Sequence, residues 1–221
     1  MRRQRPNRGD SDQSDVGSSP ALTKRALDLV GAALLCVAFA PVAAVIAVLV
    51  KLDSHGPVLH AQVRGGLGGR PFRMFKFRSM RMGAEALRDT LATNNEQDGY
   101  LFKMRADPRI TRFGRWLRRS SLDEVPQLLN ILRGEMSLVG PRPLPIDDLA
   151  ALPDEYRTWA EERHTVLPGL TGEWQVEGRA DCGFDQMVEF DLAYVRRNNL
   201  RHDLVLLWRT LPAVLRGRGA Y

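Results

Sequence analysis

The chain has 221 residues, 44% of them apolar, and carries 32 Lys and Arg against 26 Asp and Glu, a formal charge of +6. That length supports one domain with appendages and a sizeable core, and the charge argues for an anionic partner: a phosphate ligand, a lipid head group or a nucleic acid. With only two cysteines, Cys36 and Cys182, in unlike surroundings, the chain offers neither a disulfide framework nor a thiolate metal centre, and it fits a reducing compartment.

The opening residues, MRRQRPNRGDSDQSDVGSSP, are polar and charged without apolar periodicity, which predicts a disordered tail over 1–20. A membrane-anchoring helix is expected over 21–52. From Leu29 to Val50 lie 22 residues without a charge, and at ~1.5 Å each they reach ~33 Å, enough to cross a bilayer core. A signal peptide is a poor alternative, because Asp10, Asp12 and Asp15 precede the run and Pro41 follows the small-residue site. Pro41 also divides the run into halves that suit a helix entering one leaflet and returning. Lys24 and Arg25 flank one side and Lys51 the other. A spanning helix would export one of these cationic flanks, whereas a re-entrant helix keeps both inside. Both topologies remain open. Asp28, one turn after Lys24 and Arg25, is expected to pair with them at the interface.

Residues 53–221 read as one further domain. GPVLHAQVRGGLGGRPFRMFKF holds two short β-rich pieces around a glycine turn, which predicts a β-hairpin. In its second half Arg73, Lys76 and Arg78 interleave with Phe75 and Phe77, as in a half-buried strand or an anion-binding edge. Residues 81–99 suggest a polar helix and loop. DPRITRFGRWLRRS, dense in arginine, follows. Arginine beside Phe and Trp also serves single-stranded nucleic acid, but no recognition fold is legible. Residues 51–119 carry a net +9 and 120–221 a net −5. The basic and acidic halves meet at Asp123.

That junction reads SSLDEVPQLLNIL. Ser121-x-x-Glu124 fits a capping box, in which serine takes a backbone donor and glutamate reaches back to the cap, and acids suit a first turn beside the positive end of the helix dipole. The same pair of carboxylates, next to so many cations, also suits a reaction centre. Beyond it, Leu122, Val125, Leu128, Leu129 and Leu132 recur at helical spacing. In RGEMSLVGPRPLP the prolines forbid a helix and hold Arg142 on a stiff extended backbone, a setting that suits bidentate recognition of a phosphate. A polar helix is expected over 154–164, a turn-rich passage with Trp174 and Arg179 after it, and a helix in MVEFDLAYVRRNN. Finally Leu204, Leu207, Trp208, Leu211 and Leu215 share one face of an amphipathic helix, either interfacial or packed on the core.

Taken together, KRALD, KFRSM, SLDEVPQLLNILRGEMSLVGPRPL, PGLTGEWQVEGR and LRGRGAY resemble the bacterial sugar transferases, the monotopic phosphoglycosyl transferases that start exopolysaccharide synthesis with glucose or galactose phosphate. The resemblance runs in order from about Lys24 to the end of the chain. It departs at Ala40-Pro41, where family members commonly carry Ser-Pro, and at Glu173 before WQV. The resemblance implies an α-rich mixed α/β fold: a membrane-anchoring helix, re-entrant or spanning, a compact helical catalytic domain with a short β-hairpin, and interfacial amphipathic helices. It implies transfer of a hexose-1-phosphate from a UDP-sugar to polyprenyl phosphate at the cytoplasmic face of the bacterial inner membrane. UMP would be released and Asp123 would be the nucleophile. Glu124 would hold Mg2+, and Lys76, Arg78, Arg118, Arg142 and Arg179 would bind substrate phosphates. The implied partners are the UDP-sugar, polyprenyl phosphate and membrane lipid, with no nucleic acid; a homodimer is left open. The rivals are a UDP-sugar diphosphatase and a non-catalytic basic protein that binds a lipid surface or nucleic acid.

Overall fold

The computed structural model of the chain describes residues 18–87, 90–91, 104, 106–178 and 183–216. The first element, α1 (Ser18–Asp53), starts three residues before the expected anchor and continues through Pro41 as one helix rather than two joined by a turn. Most of its apolar surface is exposed, including Val30, Leu34, Val37, Val45 and Val48. The inward positions Asp28, Ala32, Ile46 and Val50 are buried, with Cys36 and Ala43 half-buried between them. Steps of three and four place these six side chains on one stripe, so the helix meets the rest of the protein along a single edge. Of the tail expected over 1–20, only Ser18–Pro20 are described, and these are helical.

The hairpin forms as its composition predicts. Strand β1 (Leu59–Gly65) pairs antiparallel with β2 (Pro71–Phe77), from Leu59 opposite Phe77 to Gly65 opposite Pro71. The turn between them needs positive φ at Gly68 (62°) and Gly69 (72°), a region that residues with a Cβ rarely occupy. Alternation along β2 turns Phe72, Met74 and Lys76 towards the domain. The far edge of β2 is pinned by a side chain: Asn130 Oδ1 accepts from the Phe75 amide (3.0 Å), and Nδ2 donates to the Arg73 carbonyl (2.7 Å).

Residues 82–87 are turns, not the polar helix expected from residue 81; most of the rest of that stretch lies outside the described residues. Helix α2 (Arg112–Arg119) is capped by Thr111, whose side chain accepts from the Gly114 amide. A single 3-10 turn at Leu122–Glu124 leads to α3 (Gln127–Arg133). Strand β3 (Ser137–Val139) then pairs parallel with β4 (Gly169–Thr171), a small sheet that the turn-rich reading did not anticipate. Parallel strands need a long crossover, supplied here by α4 (Ile146–Ala150) and α5 (Arg157–Arg163). A five-residue π turn, Trp174–Gly178, follows β4, and α6 (Phe184–Arg197) and α7 (Leu200–Arg216) complete the described fold.

The main core joins Ala32, Met74, Leu128, Ile131, Met136, Leu138, Val139, Tyr194 and Leu206, and so holds α1, β2, α3, β3, α6 and α7 together. A second cluster, with Trp159 edge-on to Phe184 at 5.3 Å, fastens α5 to α6. A third packs Ile46 and Val50 of α1 on Phe77 and Leu117.

Asp28 does not pair with its helical neighbours. It is buried, and its Oδ1 accepts from Ser137 Oγ (3.0 Å) and the Leu138 amide (2.9 Å). Lys24 instead meets Asp203 of α7 at 2.5 Å, and Arg25 donates to the carbonyls of Ile131 and Leu132 at the end of α3. The expected interface pair is therefore a set of ties from α1 into the domain: once β3 lay within reach, its backbone amide served the buried carboxylate better than a solvated cation.

Candidate active site

The residue that places the two central carboxylates is Ser121, the one non-glycine with positive φ among the described residues (φ 57°, ψ 13°). This left-handed step ends α2 and turns the chain into the 3-10 turn that carries Asp123 and Glu124. The capping box does not form: the Ser121 side chain makes no cap bond, and the Glu124 amide bonds the Ser121 carbonyl instead (3.2 Å). An N-cap residue needs extended backbone for its side chain to reach the turn's free amides, and Ser121 is left-handed. The Glu124 side chain is left for another use.

That use is electrostatic. Glu124 Oε1 accepts from Lys76 Nζ at 2.8 Å and from Arg142 Nη2 at 2.9 Å, all three side chains being mostly buried. Burial alone would raise the Glu124 pKa, but Arg142 and Lys76 outweigh it and hold the carboxyl far below the usual carboxylate range. In return, burial lowers Lys76 despite Glu124, and Glu124 lifts Arg142 above its ordinary value.

Asp123 differs. It is 7% exposed, and no hydrogen bond or ion pair to its carboxylate occurs among the described residues. Burial raises its pKa; the charges of Lys76, Arg118 and Arg142 oppose that rise and Glu124 adds to it. Adjacent carboxylates are thus driven apart, one tied up by two cations and the other buried, partly shielded and uncommitted. Such a group suits nucleophilic attack at a centre whose negative charge the neighbouring cations offset.

Of the residues expected to bind phosphates, Lys76, Arg118 and Arg142 surround Asp123. Arg118 is fixed by Nε donating to Ser79 Oγ (2.9 Å). Arg78 is not in the basin. It follows the end of β2 at Phe77, and its guanidinium donates to the carbonyls of Ser54 (2.5 Å), Val50 (3.3 Å) and Pro57 at and just beyond the end of α1. Arg179 lies outside the described residues.

Two further residues support Arg142: Arg163, which carried no local signal, and Trp174, which was read only as part of a turn-rich passage. Arg163, at the end of α5, pairs with Asp191 of α6 at 2.9 Å and donates to the Arg142 carbonyl. Trp174, in the π turn, lies with its ring centroid 5.9 Å from the Arg142 guanidinium, within cation–π range. The stiff GPRPLP backbone, Arg163, Trp174 and Glu124 together leave Arg142 little freedom.

No group of three or more His, Cys, Asp or Glu able to hold a metal occurs among the described residues. Asp123 and Glu124 still form a donor set that suits Mg2+, which takes one or two carboxylates together with substrate phosphates rather than a full protein cage. The second carboxylate oxygen of Glu124 is engaged by neither Lys76 nor Arg142.

Comparison with known proteins identifies the family. A family profile described as bacterial sugar transferase matches residues 19–217. The exopolysaccharide production protein ExoY of Rhizobium meliloti is 40% identical over 206 residues, covering 90% of this chain and 88% of the relative. The UDP-glucose:undecaprenyl-phosphate glucose-1-phosphate transferase of Caulobacter vibrioides is 42% identical over 212 residues, covering 90% and 72%. The undecaprenyl-phosphate galactose phosphotransferase of Salmonella typhimurium is 40% identical over 210 residues, but the chain spans only 42% of its length, and under half of several other relatives. With nearly the whole described fold inside the matched span, the chain belongs to the bacterial sugar transferase family.

Proposed function

We propose that the protein transfers a hexose-1-phosphate from a UDP-sugar to polyprenyl phosphate, at the cytoplasmic face of a bacterial inner membrane, as the first step in building an exopolysaccharide or related glycoconjugate. The observation that carries this reading is the buried, uncommitted Asp123 carboxylate facing Lys76, Arg118 and Arg142 beside a long apolar helix. The family relatives named for such transfers support the substrate classes.

In the first half-reaction a carboxylate oxygen of Asp123 attacks the sugar-bearing phosphorus of the UDP-sugar. The bond from that phosphorus to the bridging oxygen breaks, and UMP leaves. In the second, an oxygen of polyprenyl phosphate attacks the same phosphorus and expels Asp123, giving the diphosphate-linked lipid sugar. Lys76, Arg118 and Arg142 lower the repulsion between the anionic nucleophile and the diphosphate, and the buried setting strengthens each of these interactions. Mg2+ bound by Glu124, with Asp123 beside it, would neutralise further phosphate charge.

We also read α1 as re-entrant. Its start is tied to α3 and α7 through Arg25 and Lys24, and its end to β2 and α2 through Arg78, Ile46 and Val50. A bilayer-crossing helix would have to draw one of these polar attachments through hydrocarbon. The outer face of α7, with Leu204, Trp208 and Leu211 exposed, suits the interfacial layer.

Incubation with UDP-glucose and UDP-galactose labelled in the sugar-bearing phosphate tests the chemistry. The label is expected on the protein without acceptor and on lipid once polyprenyl phosphate is added, and on neither with Asp123→Asn. UMP release with no lipid product would instead indicate a diphosphatase.

A further inference from the structure

The outer face of α7 is apolar, whereas its inner face bonds the segment that carries Trp174. Three polar links run from it to the segment that begins at β4 and ends in the π turn. His202 Nε2 lies 2.6 Å from Glu173 Oε1, Thr210 Oγ1 lies 2.8 Å from Thr171 Oγ1, and Arg209 donates to Glu177. At ~100° per residue, His202, Leu206, Arg209 and Thr210 cluster on one side of the helix and Leu204, Trp208 and Leu211 on the other. The helix therefore holds the segment at both its ends while turning its apolar residues outward.

Between those holds sits Trp174, the residue after Glu173, and its ring lies beside Arg142. Arg142 in turn bonds Glu124, the neighbour of Asp123. Glu173 is 8% exposed and the His202 side chain 20%. Burying such a pair is a poor route to stability, because desolvation offsets most of the attraction; it does fix one geometry. The π turn has lost regular helical bonding, so its conformation depends on outside contacts such as these.

We propose that Glu173, paired with His202, is a positioning residue for phosphate binding: it locks the π turn onto α7 and so holds Trp174 against Arg142. The assignment rests on the transferase reading for what Arg142 binds, and it makes the lipid-facing helix a structural support of the nucleotide site. Here Glu173, the residue before WQV, does specific work in this chain.

The test uses the full chain in phospholipid nanodiscs, with UDP binding measured by calorimetry and UMP release from UDP-glucose and UDP-galactose measured in parallel. Glu173→Ala and His202→Ala are each expected to weaken UDP binding roughly three- to tenfold, the range of a weakened cation–π contact, and to raise KM more than they lower kcat. Glu173→Gln, which still accepts from His202, should stay close to wild type. In a Trp174→Leu background, Glu173→Ala should weaken binding no further. His202→Ala gives the same test from the helix side should Glu173→Ala fail to fold. Wild-type UDP affinity in both alanine variants, or full additivity with Trp174→Leu, overturns the proposal. A wild-type protein that binds UDP but releases no UMP refutes the transferase reading while the affinity comparison still decides this one; a wild type that binds no UDP overturns both.

Discussion

At the scale of single residues, Asp123 and Glu124 are neighbours in the chain and opposite in electrostatic setting. Because burial holds Asp123 above its ordinary pKa, ionising it opposes folding: the folded state keeps its proton to higher pH than the unfolded state, so stability falls as pH rises through that interval. Asp123→Asn should therefore leave the thermal midpoint unchanged or higher at neutral pH while turnover drops on the order of 10³-fold or more. The acid limb of kcat/KM in the wild type should lie above the ordinary aspartate value and vanish with the residual activity of the variant. Glu124 has the reverse sign. Its depressed pKa means that its contribution to stability is fully present above its unfolded value of 4.5 and is lost as pH falls through the folded value. Glu124→Gln leaves Lys76 and Arg142 buried without their counter-charge and should destabilise the protein by about 3 kcal/mol, read by denaturant titration at pH 7.

Those two residues were legible as a pair in the sequence, yet their division of labour was not. The capping box fitted Ser121 and Glu124 by spacing alone; a left-handed φ at Ser121, which spacing does not reveal, dissolved it. Arg78 illustrates the same limit. It lies two residues from Lys76, yet it meets backbone carbonyls near the end of α1 where Lys76 meets the Glu124 carboxylate, a fact of tertiary packing.

Among the elements, the hairpin, the helix starting at Phe184 and the last amphipathic helix could be read from period and turn chemistry, because each satisfies its backbone locally. The β3–β4 pair could not. Each strand has three residues, and they meet across about thirty intervening ones, so neither carries a pattern long enough to announce it. Helix α2 shows how tightly elements can approach where no side chain intervenes. A Cβ on Gly114 would come 2.0 Å from the Ser79 carbonyl oxygen, itself bonded to the Thr111 amide. Gly114→Ala must push α2 off that strand end, and with it Arg118, which Ser79 holds. A loss of roughly 2 kcal/mol or more in stability is expected, together with a higher KM for the UDP-sugar.

For the whole molecule, the acid-side stability contains a term from His164, whose imidazole burial and the neighbouring Arg163 push down to about 4 from an ordinary 6.5. Between those values the unfolded chain takes up a proton that the folded protein refuses, so this term erodes stability as pH falls through the window. Asp191, raised to about 6 chiefly by burial, works in the opposite direction over much of the same range. His164→Gln removes only the first contribution. Its thermal midpoint relative to wild type should rise steadily from pH 6.5 to pH 4. Single cysteines replacing Leu22 and Leu52, both well exposed near the two ends of α1, test topology in a background lacking Cys36 and Cys182; equal labelling from one side of the membrane is expected.

The single inward stripe of α1 also makes that helix a ruler. Ala32 at one end and Ile46 and Val50 at the other engage separate parts of the domain, so the phase and length of the helix between them are fixed by the protein rather than by the lipid. One residue inserted near Ala40 would swing the second set of contacts by ~100° and shift it ~1.5 Å. On the re-entrant reading, an anchor so constrained cannot tilt or slide independently of the domain, so the protein rather than the lipid sets how deep it enters.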